Sequence, residues 1–116
     1  MDFQTRVRDF LARHGLRHTP HVHALDLSSE VGEVAKAILE ASSYGRSLVM
    51  LEDAVVEELG DTFFALIALA ESLDVDLDRA LSAALNKYEA RLANKGHSGS
   101  GGVPSLPDRV AAVTST

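Results

Sequence analysis

The chain has 116 residues, no cysteine, a formal net charge of −6, and a composition of 46% hydrophobic and 24% charged residues. A chain of this length makes one small domain, and self-association would help it bury apolar surface. The acidic balance argues against a generic nucleic-acid binder, which carries a basic stripe to displace counterions from phosphate. It leaves a metal-bridged nucleotide open as a substrate. Without cysteine there is no disulfide framework, thiolate zinc site or thiol nucleophile.

Residues 1 to 20 carry interspersed charge and no apolar block, so they do not read as a signal peptide. The longest apolar run, Phe63 to Ala70, is too short to cross a bilayer. A cytoplasmic protein without membrane contact is expected.

In chain order, Phe3, Val7, Phe10 and Leu11 form a helical stripe among Arg6, Arg8, Asp9 and Arg13, predicting a short amphipathic helix that Gly15 ends. Thr19-Pro20 is a helix-start pair, with threonine as cap and proline pre-set for the first turn. Val22, Leu25, Val31, Val34, Ala35, Ile38 and Leu39 then recur at helical spacing until Ser42-Ser43-Tyr44-Gly45, predicting one helix over 20–41. After a connection in which Ser47 is a candidate cap, a helix is expected from about Leu51 to Ser72. It is apolar nearly all round from Phe63 onward, and so should be the most buried element.

Asp74 to Asp78 reads as a polar break with capping aspartates. A further amphipathic helix follows, through Ala80, Leu81, Ala84, Leu85, Tyr88 and Leu92 to about Asn94, with Gly96 as its stop. His97 to Gly102 has the composition of a flexible linker, and 103–116 has only a weak apolar pattern. The expected architecture is all-α: a compact bundle of three long helices and a short N-terminal one over residues 1–96, completed by homo-oligomerisation, with a tail over 97–116.

Two stretches carry the chemistry. Glu30 and Glu33 stand three residues apart on the second helix with Gly32 between them, and Glu58 and Asp61 stand likewise on the third around Gly60. Residues at that spacing share a helical face. Glu58 and Asp61 lie in an otherwise apolar run, where a bare carboxylate is costly to bury and no lysine or arginine is near in sequence. A hard divalent cation that prefers oxygen ligands, Mg²⁺ or Mn²⁺, is the economical partner. The glycines suggest that something approaches the backbone closely, since each costs about 1 kcal/mol in a helix interior relative to alanine. The plain alternative is a set of solvated helix faces.

The order Glu30-x-x-Glu33, Glu58-x-x-Asp61 and then Lys87-Tyr88-x-x-Arg91 resembles the MazG family of all-α nucleoside triphosphate pyrophosphohydrolases, over about Thr19 to Gly96. The resemblance implies Mg²⁺-dependent hydrolysis of a nucleoside triphosphate between the α and β phosphates, giving the monophosphate and pyrophosphate, by a homodimer or homotetramer. On that reading Glu30, Glu33, Glu58 and Asp61 hold metal, and Lys87 and Arg91 contact phosphate, the lysine as a point charge and the arginine as a fork. Relatives commonly carry Glu-Glu-x-x-Glu in the first motif, whereas Ser29 stands here in place of the first carboxylate. Glu57 is the nearest acidic group able to take over activation of water.

Two rival readings remain. One is a non-catalytic helical oligomerisation module that binds metal or nucleotide, which Ser29 favours. The other is an enzyme similar to phosphoribosyl-ATP pyrophosphohydrolase, although the Lys-Tyr-x-x-Arg segment fits MazG better. The alternative for Lys87 and Arg91 is an exposed basic face. Tyr44, Tyr88 and the phenylalanines are expected in the core. His14, His18, His21 and His23 cluster without cysteine and across Pro20, which argues against zinc and for surface or loop histidines near the mouth of a nucleotide site.

Overall fold

The computed structural model describes residues 2–95 and contains four helices: α1 (Phe3–Arg13), α2 (Pro20–Ala41), α3 (Asp53–Ser72) and α4 (Leu77–Lys95). No strand occurs among the described residues. The all-α expectation therefore holds, while Gly96 and the linker and tail after it lie outside the described residues.

The helix ends follow from local chemistry. At the start of α1 the Asp2 carboxylate accepts the Thr5 N–H at 2.7 Å, and Gly15, at φ 64°, turns the chain after its end. Pro20 opens α2, but Thr19 makes no side-chain cap bond; only its extended backbone does the work of entry. At the other end Ser43, Tyr44 and Gly45 are all left-handed, with φ of 50°, 59° and 86°, which stops α2 where the sequence pattern places its close. Ser47 donates to the Leu48 carbonyl and caps nothing; Glu52 precedes α3, which starts two residues later than expected.

The described residues up to Leu77 form one compact unit and those from Asp78 onward another. In the first, α3 is the shared element, packing against both α2 and α1. Ala41 accepts a hydrogen bond from Met50 while Glu30 lies beside Glu58 and Asp61, so α2 and α3 run antiparallel. The buried apolar residues are Leu11, Ala41, Val55, Ala65, Ile67, Ala68 and Ala70, of which Ile67 is only 1% exposed. Five of these seven belong to α3, as expected of the most apolar helix. Four are alanines, small enough to let helix backbones approach closely.

The aromatic residues correct the expectation of a core role. Phe3, Phe10, Phe63, Tyr44 and Tyr88 are all exposed. Phe3 meets Phe63 and Phe10 meets Phe64 edge to face across α1 and α3, with centroids 5.1 and 5.8 Å apart, so the rings join the helices while leaving one side to solvent.

In the second unit, Leu81, Leu85, Tyr88 and Leu92 line one stripe of α4 and are exposed. Lys87 Nζ and Arg91 Cζ lie 5.0 and 5.9 Å from the centre of the Tyr88 ring, close enough for cation–π attraction.

Candidate metal centre

Glu30 sits mid-way along α2, and Glu58 and Asp61 are one turn apart on α3. Because those helices pack antiparallel, the three side chains converge. One carboxylate oxygen from each lies within 4.8 Å of the others. Glu30 and Glu58 are half-buried and Asp61 is exposed, so the group opens to solvent on one side.

Among the described residues no lysine, arginine or histidine forms an ion pair with any of the three; the Arg8–Glu71 ion pair lies elsewhere on α3. The electrostatics follow. Glu58 is pushed above the ordinary carboxylate value, first by desolvation and then by the negative charges of Asp61, Glu30, Glu33 and Glu57. The Thr62 hydroxyl donates to the Glu58 carbonyl at 2.8 Å, a contact within the helix that the sequence alone does not single out.

The four carboxylates expected as one set divide. Glu33 is exposed one turn further along α2, outside the close group, and acts on Glu58 only through its charge. Glu57 is likewise exposed, a third of a helical turn round from Glu58. Gly32 and Gly60 face open space: a Cβ at either would meet nothing within 4 Å. The close approach expected at these glycines does not occur among the described residues.

Three carboxylates without a counter-cation, offering only oxygen, suit a hard divalent ion and do not suit zinc, which favours nitrogen and sulfur. The model of the MazG nucleotide pyrophosphohydrolase domain matches residues 18–95. The chain belongs to the MazG nucleotide pyrophosphohydrolase family.

Its similarity to individual proteins is moderate. The uncharacterized protein YpjD of Bacillus subtilis is 32% identical over 66 residues, which are 56% of this chain and 60% of that protein. The chain thus matches only about three-fifths of that curated relative's length. The crystal structure of the Bacillus-conserved MazG protein, a nucleotide pyrophosphohydrolase, superimposes with a TM-score of 0.63 at 31% identity, covering 75% of this chain and 85% of that one.

The other candidate residues of this MazG domain are Lys87, Arg91 and the histidines. Lys87 and Arg91 are on α4, flanking Tyr88. The histidines divide: His14, His18 and His21 are exposed, but His23 is buried, and its Nε2 accepts the His18 N–H at 3.2 Å. His23 is thus a structural acceptor that holds the α1–α2 connection, which corrects the expectation of a surface group. The acidic trio is the candidate metal group among the described residues, and no histidine belongs to it.

Proposed function

We propose that this MazG domain is a divalent-metal-dependent nucleoside triphosphate pyrophosphohydrolase that splits the bond between the α and β phosphates, releasing nucleoside monophosphate and pyrophosphate. The observation that carries the proposal is the convergence of Glu30, Glu58 and Asp61, without an ion pair among the described residues, in a chain of this family. These three would hold Mg²⁺, or Mn²⁺ in its place, with Glu33 close enough in sequence to complete the set. When bound, the cation neutralises charge on the phosphates and on the carboxylates themselves.

The chain's own groups supply the rest. Water adds across the phosphoanhydride, one phosphorus–oxygen bond forming as another breaks, and its proton passes to a carboxylate. With Ser29 unable to accept it, Glu57 is the proposed acceptor, exposed beside Glu58. Lys87 and Arg91 would meet phosphate oxygens, offsetting charge that grows on the leaving pyrophosphate.

Self-association into a dimer or tetramer is part of this reading. Val22, Leu25, Val31, Leu39, Val56 and Leu59 on α2 and α3 are exposed, Leu25 to 72%, apolar surface that self-association would cover. No described helix is long and apolar enough to cross a membrane. We place the enzyme in the cytoplasm, with residues 1–96 as its helical domain.

The deciding experiment is pyrophosphate release from a panel of ribo- and deoxynucleoside triphosphates with Mg²⁺, comparing wild type with Glu58→Gln and Asp61→Asn. Metal-dependent release that vanishes in the folded variants supports the enzyme. No release from any nucleotide, with Mg²⁺ still raising the melting temperature, leaves a metal-binding module instead.

A further inference from the structure

The start of the chain holds a heptad repeat. Asp2-Phe3-x-x-Arg6 returns seven positions later as Asp9-Phe10-x-x-Arg13, over the N-cap and body of α1. Seven residues are nearly two helical turns, so each member of the repeat comes back to the same face. Asp2, Arg6, Asp9 and Arg13 therefore make one stripe in which charge alternates along the helix: minus, plus, minus, plus. All four are exposed, and among the described residues Arg6, Asp9 and Arg13 enter no ion pair. The arginine that ties α1 to α3, Arg8, is outside the stripe.

The two phenylalanines of the repeat run beside it. Phe3 and Phe10 lean edge to face on Phe63 and Phe64 of α3. These four rings line a groove of about 630 Å³ between the two helices, and Arg6, Asp9 and Arg13 stand along its wall. The groove is open: Phe3 is 61% exposed, Phe63 44% and Phe10 40%. Every residue in this description belongs to the unit that ends at Leu77.

The charge order says what fits there. A stripe that reads minus, plus, minus, plus in one direction reads plus, minus, plus, minus in the other. Two copies of α1 laid antiparallel thus oppose unlike charges throughout, Arg6 against the partner's Asp9 and Asp2 against the partner's Arg13, each pair occurring twice about the two-fold axis. Parallel copies in register would set like against like. In the antiparallel register the partner's Phe10 falls opposite Thr5, about 3 Å along the axis from Phe3, so the rings interleave.

We propose that α1 is a self-recognition helix, and that a second copy of this chain lays its own α1 antiparallel against the groove between α1 and α3. The exposed rings supply the attraction, and the flanking charges select direction and register, as they do beside an apolar helical seam. This rests on the reading in which the chain self-associates, and is independent of the chemistry at the acidic trio.

The test is sedimentation equilibrium of the full chain at low ionic strength over a range of concentrations. It compares the wild type, Arg6→Glu, Asp9→Arg, and an equimolar mixture of the two variants. The central pair is chosen because the Asp2 carboxylate also accepts the Thr5 N–H. Each reversal acts at two symmetry-related pairs and should weaken the contact by about tenfold, with helical circular dichroism unchanged. The mixture should associate within about twofold of the wild type, because glutamate at position 6 of one variant then meets arginine at position 9 of the other.

A wild type that stays monomeric at every concentration defeats the self-association reading and the proposal with it. A wild type that associates, with neither reversal weakening it, puts the contact on another surface and overturns the proposal alone. So does a mixture no tighter than either variant by itself, since the antiparallel register then fails.

Discussion

Glu58 and Glu71 are the same side chain on the same helix, and the fold treats them in opposite ways. Glu71 receives Arg8 at 2.6 Å and the Gln4 amide at 2.8 Å, and its carboxyl is held below the ordinary value, first by the hydrogen bond from Arg8. Glu58 receives no cation among the described residues, and desolvation first, then the charges of Asp61 and Glu30, hold its carboxyl above the ordinary value. At one end of α3 the negative charge is satisfied and joins helices. At the other it is accumulated, against the interest of the metal-free fold. An uncompensated group of this kind marks a place built for something that arrives later.

The largest effect that would sharpen the contrast is on catalysis. Glu58→Gln and Asp61→Asn should each lower pyrophosphate release by about 10²–10⁴-fold, the usual range for losing a key charged group, with the helical circular dichroism intact. Glu71→Gln should leave kcat within a few-fold. Equal losses at both ends would break the distinction.

Metal binding comes next in size. Mg²⁺ at 100 times its dissociation constant should stabilise the wild type by about 2.7 kcal/mol, read as a rise in melting temperature, and should do so much less in Glu58→Gln. An equal rise in both would place the ion elsewhere.

Loss of the Arg8 pair is smaller. Glu71→Gln should cost about 1 kcal/mol in denaturant titration, because Arg8 is largely solvated and the pair is only partly buried. The pH dependence should then divide by sign. Glu71, with its folded value lowered, contributes stability that is full above the unfolded value near 4.5 and is lost as pH falls through the folded value. Glu58, with its folded value raised, costs stability when ionised, so acidification from neutral through that value relieves the metal-free chain. Metal-free melting curves of Glu58→Gln should lack that gain, and those of Glu71→Gln should lack the acid loss.

The smallest effects lie at the glycines. With open space at Gly32 and Gly60, alanine at either should stabilise the chain by about 0.5–1 kcal/mol. A fall in melting temperature would mean that another subunit occupies the space.

The sequence is most legible where structure is local. The bounds of α2 follow from Thr19-Pro20 and from the Ser-Tyr-Gly run, whose left-handed turn needs no distant partner. The start of α4 does not follow in that way. The helix begins at Leu77, inside the expected polar break, where a glutamine from α1 meets its first amide. Spacing could show that Glu58 and Asp61 share a face, but which residue of α2 meets them depends on how the two helices slide past each other. That register selects Glu30 and leaves Glu33 exposed. Nor could the sequence show that Glu71 is compensated, since its partner is an arginine 63 residues away.

Ala65 draws these strands together. It is buried on α3, four residues beyond Asp61 and seven beyond Glu58, and so on the helical face they share. A valine or leucine there would overpack that face, and any helix shift it forced would be felt at the carboxylates one turn away. The acidic trio is thus open to change from a residue that is not one of its members.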